Sequence, residues 1–240
     1  MNIAAVIPSR YQSSRFPGKP LAKIAGMTMI ERVYRQVEKA GCFSDIIVAT
    51  DDERIFNEVV RFGGNCKMTD KAVKSGSERV WSVIEGKSYE AVINIQGDEP
   101  LISEKLILEV CQVLGKKNIV SAARRNDSYK DYISKNVVKV VLDDMNRALY
   151  FSRSPIPFCV NEMFCGFFQH IGIYGYSKNA LEVFIKAGIS QLEISENLEQ
   201  LRFLYLGKKI HIVETDYVSH GVDIPDDIKK IEKILREQHD

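Results

Sequence analysis

The sequence predicts an α/β fold in which a mostly parallel sheet is covered by helices, and three observations carry that prediction. Apolar runs of strand length alternate with longer stretches of helical period, the rhythm of βαβ units. The early runs have the character of strands buried on both faces. The composition, 45% hydrophobic and 27% charged over 240 residues with 15 Gly and 7 Pro, belongs to a chain with a packed core. At this length, burial of roughly three quarters of the unfolded surface needs no disulfide or metal staple.

In chain order, residues 3–7 form the first strand and 29–40 the helical crossover to a second strand at 46–49. A helix at 53–62, strands at 66–68 and 91–95 and a helix at 106–114 continue the pattern. Ligands of such sheets gather beyond the carboxyl ends of the strands, which fixes the loops to inspect. After about Ala123 the rhythm changes. Segments 137–142 and 148–152 are separated by DDMNR, a hairpin-like spacing, and Pro155 and Pro157 then break the chain. A strand at 170–176, helices at 180–187 and 196–206, a short strand at 211–213 and a terminal helix from Asp226 complete it. No Ser/Gly/Pro-rich linker marks a cut, so the expectation is one domain over 1–240 with an inserted β-rich portion near 124–169.

Thirty-three Lys and Arg against 32 Asp and Glu give a net charge of +1, so no global field draws nucleic acid or a membrane. Any polyanion site must be local. Five cysteines, Cys42, Cys66, Cys111, Cys159 and Cys165, form no CxxC pair and have no histidine at finger spacing, which argues against a disulfide framework or a zinc ribbon and for reduced thiols in the cytosol. The opening MNIAAVIPSR is too short an apolar run for a signal peptide, and no stretch approaches the roughly 20 apolar residues of a membrane span. A soluble, cytoplasmic protein is expected.

The sharpest local anomaly is charge. The first 30 residues hold Arg10, Arg15, Lys19 and Lys23 and no acid. They center on PSRYQSSRFPGKPL, directly after the first strand, where Ser13 and Ser14 add donors. Such a loop suits a polyphosphate, while a plain solvated basic loop stands as the alternative. Neither GxxxxGK[ST] nor GxGxxG is present. The strand at 91–95 runs into Gln96, Gly97, Asp98 and Glu99, where Gly97 admits close backbone approach and a carboxylate can hold Mg²⁺ beside phosphates. By itself that dipeptide fits a turn before a helix equally well, so a partner acid is required. GVDIPDD offers Asp223, with Asp226 and Asp227 better placed to cap the last helix.

SGSER reads first as a capping box from Ser75 to Glu78, with Arg79 projecting from the first turn. LEISENLEQLRF spaces Glu193, Glu196 and Glu199 three apart on a helix, with Glu199 paired to Arg202 or, alternatively, Glu199 and Gln200 accepting hydrogen bonds from a polyhydroxylated ligand. His170 and Tyr174 lie on one face of a strand and can bond a hydroxyl or carboxylate, though burial in the core is the commoner fate of such a pair. No GxSxG supports a hydrolase triad.

IPSRYQSSRFPGKPL, SGSER, NIQGDEPLI, VKVVLDDMNRALYFSRSPIPF, HIGIYGY, LEQLR and GVDIPDD occur in this order across nearly the whole chain. Together they closely resemble the 3-deoxy-manno-octulosonate cytidylyltransferases, the CMP-Kdo synthetases. The resemblance implies a Rossmann-like, mostly parallel sheet flanked by helices, of the nucleotide-diphospho-sugar transferase type, with an inserted β-rich dimerisation portion. It implies Mg²⁺-dependent cytidylyl transfer from CTP to Kdo, releasing pyrophosphate, in lipopolysaccharide synthesis, by a homodimer. By the same resemblance Arg10, Ser13, Arg15 and Lys19 grip the triphosphate, with Lys19 and Arg15 facing the departing pyrophosphate. Ser75, Gly76 and Arg79 sit by the nucleotide and the sugar acid, and Asp98 and Asp223 ligate Mg²⁺. Gln96, Arg153, His170, Tyr174, Glu199 and Gln200 hold the sugar. The chain departs from the family pattern at Ser9, Gln12, Ser14 and Phe16 and in the short stretch between Phe158 and His170, which leaves open another 2-keto-3-deoxy sugar acid such as 8-amino-Kdo or a nonulosonate. A non-catalytic nucleotide-binding module would keep the loop cations but has no reason to keep both acids. The aromatic segment 150–168, with Phe151, Phe158, Phe164, Phe167 and Phe168, is either a dimer contact or core.

Overall fold

A computed structural model describes residues 1–13, 15–73, 75–160 and 164–237, which gather into two compact units. The first comprises Met1–Cys111 with Ser219–Asp240, and the second Gln112–Val218. In the first unit, β1 (Ile3–Ser9) is buried along nearly its whole length. A small antiparallel ribbon of β2 (Lys23–Ile24) and β3 (Met27–Thr28) leads into α1 (Met29–Lys39). Ile30, Val33, Tyr34 and Val37 recur at helical spacing in α1, and all four are buried. The chain continues through β4 (Asp45–Thr50), α2 (Glu53–Arg61), β5 (Asn65–Met68), α3 (Gly76–Ile84), β6 (Ala91–Asn94) and α4 (Glu104–Leu114). The four long strands pair in parallel in the order β5, β4, β1, β6, with Ala5 opposite both Ile46 and Ile93. The carboxyl ends of β1 and β6 therefore open side by side.

The second unit begins with β7 (Ile119–Asn126) and α5 (Tyr129–Ile133), neither of which was expected from the sequence. The expected hairpin is β8 (Lys139–Leu142) and β9 (Ala148–Ser152). β10 (Phe167–Ser177) runs antiparallel to both β7 and β8. It is followed by α6 (Lys178–Lys186), α7 (Gln191–Glu196), α8 (Leu201–Tyr205) and β11 (His211–Glu214), the last parallel to β7. The chain then returns to the first unit with α9 (Pro225–Glu237). Among the described residues no helix is long and apolar enough to cross a membrane.

The single helix expected over 196–206 does not form. α7 ends on Asn197 in the left-handed conformation (φ 51°), which asparagine tolerates better than most residues, and α8 starts only at Leu201. The break has a side-chain cause. The Glu196 carboxylate accepts from Ser152 Oγ at 2.6 Å and from the Arg153 N–H at 2.9 Å. The column of three glutamates is thereby dissolved, and Arg202 pairs with Glu193 rather than Glu199, donating from two nitrogens at 2.6 and 2.7 Å. The aromatic segment also divides. Phe151 and Phe167 are core, whereas Phe158 is 85% exposed.

Candidate active site

The cationic loop after β1 folds on itself. Gly18 adopts φ 71° and donates its N–H to Tyr11 O at 2.8 Å, and residues Lys19–Leu21 make one 3₁₀ turn started by Pro20. Phe16 anchors the loop in a small apolar cluster with Ile24, Met29, Val222 and Ile231, joined by Ile228 and Leu235 from α9. The same cluster positions an acid. Val222 is fully buried there and its N–H donates to Asp98 O at 3.0 Å, so Asp223 is held against the loop at the end of β6. Asp227 secures the turn by accepting from the Asp223 and Ile224 N–H groups, both at 3.1 Å. Burial alone would raise the Asp227 carboxyl, but hydrogen bonds from Lys230 and these backbone groups outweigh it and hold it below the usual carboxylate range.

The two aspartates expected to share a metal do converge. Lys19 Nζ donates to Asp98 Oδ2 at 2.6 Å and to Val222 O at 2.8 Å, and lies 4.0 Å from Asp223 Oδ1. Arg15 donates to that same Asp223 oxygen at 2.8 Å. Of these residues Arg15, Lys19 and Asp98 line a cavity of about 410 Å³, together with Arg10, Ser13, Gly76, Arg79, Gln96, Ser9, Gln12 and Gly97. Ser14 lies outside the described residues. Gly97 is required by packing, because a Cβ there would sit 2.6 Å from Ser9 Oγ and 2.9 Å from Pro8 O. Among the described residues no group of three or more His, Cys, Asp or Glu gathers to hold a metal by protein ligands alone.

Ser75 and Arg79 have structural duties at this wall. Ser75 Oγ accepts from the Glu78 N–H at 3.2 Å and its own N–H donates to Glu78 Oε2, which is the capping box, and Ser75 is not among the residues lining the cavity. Arg79, with no exposed surface, donates to Asp51 Oδ2 at 2.8 Å and to Thr69 Oγ1. Arg10 donates to Val73 O. Asp51 has no local sign in the sequence, since α2 and β5 lie between it and Arg79. Ser9 Oγ, Arg79 Nε and both amide atoms of Asn94 are buried without a hydrogen-bond partner.

In the second unit, His170 and Tyr174 meet with ring centroids 5.3 Å apart. Four residues of regular strand would separate them by roughly 13 Å, and the register shift between Ile171 and Tyr174 closes the distance. Ser121 Oγ lies 3.0 Å from His170 Nε2 and donates to Ile173 O at 2.9 Å. His170 keeps some solvent contact as a residue, yet its ring sits edge-on to Phe151 and burial pushes its pKa down to about 3. Burial, then the neighbouring Tyr176 and Glu199, hold the Tyr174 phenol well above its ordinary value. Gln200 is buried at the start of α8. Arg153, which the resemblance assigns to the sugar site, donates its guanidinium to the Glu196, Lys135 and Asn197 carbonyls at 2.9, 3.1 and 3.3 Å. Lys139, fully buried, donates to the Ser134, Val137 and Arg153 carbonyls. A lysine inside the apolar run VVKVVL was the available sign of it.

At the carboxyl edge of the parallel strands Lys19 and Arg15 meet two convergent aspartates beside a cavity that Arg10 and Arg79 also line, and the relatives of this chain are nucleotidyltransferases. The cytidylyltransferase family profile matches residues 4–210. The 3-deoxy-manno-octulosonate cytidylyltransferase of Syntrophotalea carbinolica is 44% identical over 248 residues, covering 98% of this chain and 99% of its own. That of Desulfosudis oleivorans is 45% identical, covering 98% of each. A solved CMP:2-keto-3-deoxy-manno-octonic acid synthetase complexed with CTP superposes with a TM-score of 0.94 at 34% identity, covering 99% of this chain and 100% of that one. The 4-diphosphocytidyl-2C-methyl-D-erythritol synthase of Anaerococcus prevotii, at 16% identity and a TM-score of 0.67 over 98% of each chain, shares the fold. The chain belongs to the 3-deoxy-manno-octulosonate cytidylyltransferase family.

Proposed function

We propose that the protein transfers the cytidylyl group of CTP to Kdo, giving CMP-Kdo and pyrophosphate, with Mg²⁺ as the metal. The observation that carries this reading is the convergence of Asp98 and Asp223 on the Lys19 amine. Two hard carboxylate donors, Asp98 lining the cavity and Asp223 bonded to its Arg15, fit Mg²⁺, which takes one or two protein carboxylates and completes its shell with phosphate oxygens and water. When bound, Mg²⁺ supplies charge neutralisation and lowers the pKa of a hydroxyl oxygen it contacts.

The residues do the positioning. In the free protein Lys19 and Arg15 neutralise the two carboxylates; with Mg²⁺ held by Asp98 and Asp223, both cations would be released to pair with phosphates. Arg10, Ser13, Arg15 and Lys19 then hold the triphosphate, and Lys19 and Arg15 face the charge that accumulates on the departing pyrophosphate. Gly76, Arg79 and Gln96 line the remaining wall. Ser75 contributes by fixing the start of α3. The neutral imidazole of His170 and the protonated phenol of Tyr174 offer hydrogen bonds to the sugar acid with Glu199 and Gln200, and Arg153 shapes that group through its carbonyl bonds. We place this work in one nucleotidyltransferase chain, 1–240, with a β-rich portion near 124–169, acting in the cytoplasm in lipopolysaccharide synthesis.

We also propose a homodimer. Tyr129, Ile133, Phe158 and Val160 are each more than half exposed, and the first three border an aromatic cavity of about 820 Å³ in the second unit, none of whose described lining residues is charged. A second copy accounts for that surface, and a scattering mass of one 27.3 kDa chain at micromolar concentration would contradict it. The reaction is tested by pyrophosphate release with CTP, Mg²⁺ and a panel of sugar acids. Release with Kdo is expected. Preference for 8-amino-Kdo or a nonulosonate would move the substrate, and release with none would leave a nucleotide-binding module.

A further inference from the structure

We propose that Cys42 and Cys111 form a redox-responsive dithiol, which a low-molecular-weight disulfide such as oxidised glutathione closes into an intramolecular bond that staples the first unit. The two residues are 69 positions apart, yet their sulfurs lie 2.7 Å from one another. That is well inside the roughly 3.5–4.0 Å at which non-bonded heavy atoms rest. From there the sulfurs need only a sub-ångström closure to reach bonding distance.

The two thiols differ in the way an ordered exchange requires. Cys42 stands in the connection between α1 and β4 and is partly exposed, while Cys111 is buried on α4. The Cys111 S–H bond holds the Cys42 thiol below its ordinary range, and the same contact, with burial, holds Cys111 well above it. Cys42 is therefore the attacking sulfur. Its thiolate attacks one sulfur of the glutathione disulfide, that S–S bond breaks, and the first glutathione leaves as a thiolate. The Cys111 thiol passes its proton to that thiolate and attacks the Cys42 sulfur, and the second glutathione leaves and takes up the proton lost by Cys42. Two protein thiols are oxidised, one glutathione disulfide is reduced to two thiols, and no proton is left over.

Cys66 and Cys159 have other surroundings. Burial pushes the Cys66 thiol up to about 12, and Cys159 Sγ donates to Tyr132 Oη at 3.4 Å in the second unit. The pair also sits away from the chemistry. Cys42 precedes the first residue of β4, at the amino edge of the parallel strands, whereas the cavity opens at their carboxyl edge. The bond is thus a staple on stability that leaves turnover unchanged.

The test uses the full chain, incubated with oxidised glutathione, alkylated and mapped under non-reducing conditions. The expected result is one Cys42–Cys111 cross-link, loss of two of the five alkylatable thiols, and a rise in Tm of roughly 5 °C or more that dithiothreitol reverses. Cys111→Ser should trap glutathione on Cys42 and show no such rise. Five thiols still free, a lasting glutathione adduct on Cys42 in the unmodified sequence, or a bond to any other cysteine would overturn the proposal. The map of the unmodified sequence decides this even if the variant fails to fold.

Discussion

At the scale of single residues, the account rests on charges that answer one another over long sequence distances. Lys19 meets Asp98 and Asp223, 79 and 204 positions away, and Arg79 meets Asp51. The second pair has no slack, because Arg79 is fully buried and Asp51 only 16% exposed. Removing one partner strands a buried charge, so Asp51→Ala should cost about 3–5 kcal/mol in urea unfolding. A loss below about 1 kcal/mol would mean that water reaches the guanidinium. Residue types were legible where composition was locally skewed, as in the acid-free loop that carries Arg10, Arg15 and Lys19. Asp51 and Ser121 were not, since an aspartate after a strand and a serine within one are unremarkable until the fold supplies Arg79 and His170. The main-chain carbonyls that Arg153 meets were not legible, because they belong to segments distant in sequence.

At the scale of elements, the approach of β1 to the loop after β6 sets the shape of the phosphate cavity. Gly97 makes that approach possible, and Gly97→Ala should cost about 1–3 kcal/mol and lower kcat/KM for CTP, because its Cβ collides with Ser9 Oγ and Pro8 O. Adding Ser9→Gly should restore only part of either loss, since the Pro8 carbonyl remains; full restoration would place the whole strain on the serine hydroxyl. Periodicity and turn residues predicted the strands and crossovers of the first unit to within a few residues, because each is an apolar segment bounded by local breakers. The helix expected over 196–206 failed for a tertiary reason. Ser152 and Arg153 capture Glu196 from another segment, and Asn197 then turns the chain. Likewise, alternation put His170 and Tyr174 on one face, but only the irregular register of β10 brings their rings into contact.

At the scale of the whole molecule, His170 makes stability depend on pH. Its folded pKa of about 3 lies below the unfolded value near 6.5, so between those values the unfolded chain binds the extra proton. Stability from this group is full above about pH 6.5 and declines as pH falls toward 3. By pH 5 the decline amounts to about 2 kcal/mol, and His170→Gln should flatten the stability profile over that window. An unchanged profile in the variant would show that the imidazole titrates as if solvated. The division into Met1–Cys111 with Ser219–Asp240, and Gln112–Val218, was not legible from composition, because both crossings are made without a Gly-, Ser- or Pro-rich linker. The late return of α9 to the first unit is what carries Val222 into its core and Asp223 to the phosphate loop.

The most direct test of the central claim is pyrophosphate release from CTP and Kdo by Asp98→Asn, Asp223→Asn and the double variant, each verified as folded. If the two carboxylates serve one ion, either single change lowers turnover by roughly 10²-fold or more, and the double change falls far short of the product of the two losses. Turnover near that of the unaltered protein in either single variant would contradict the account.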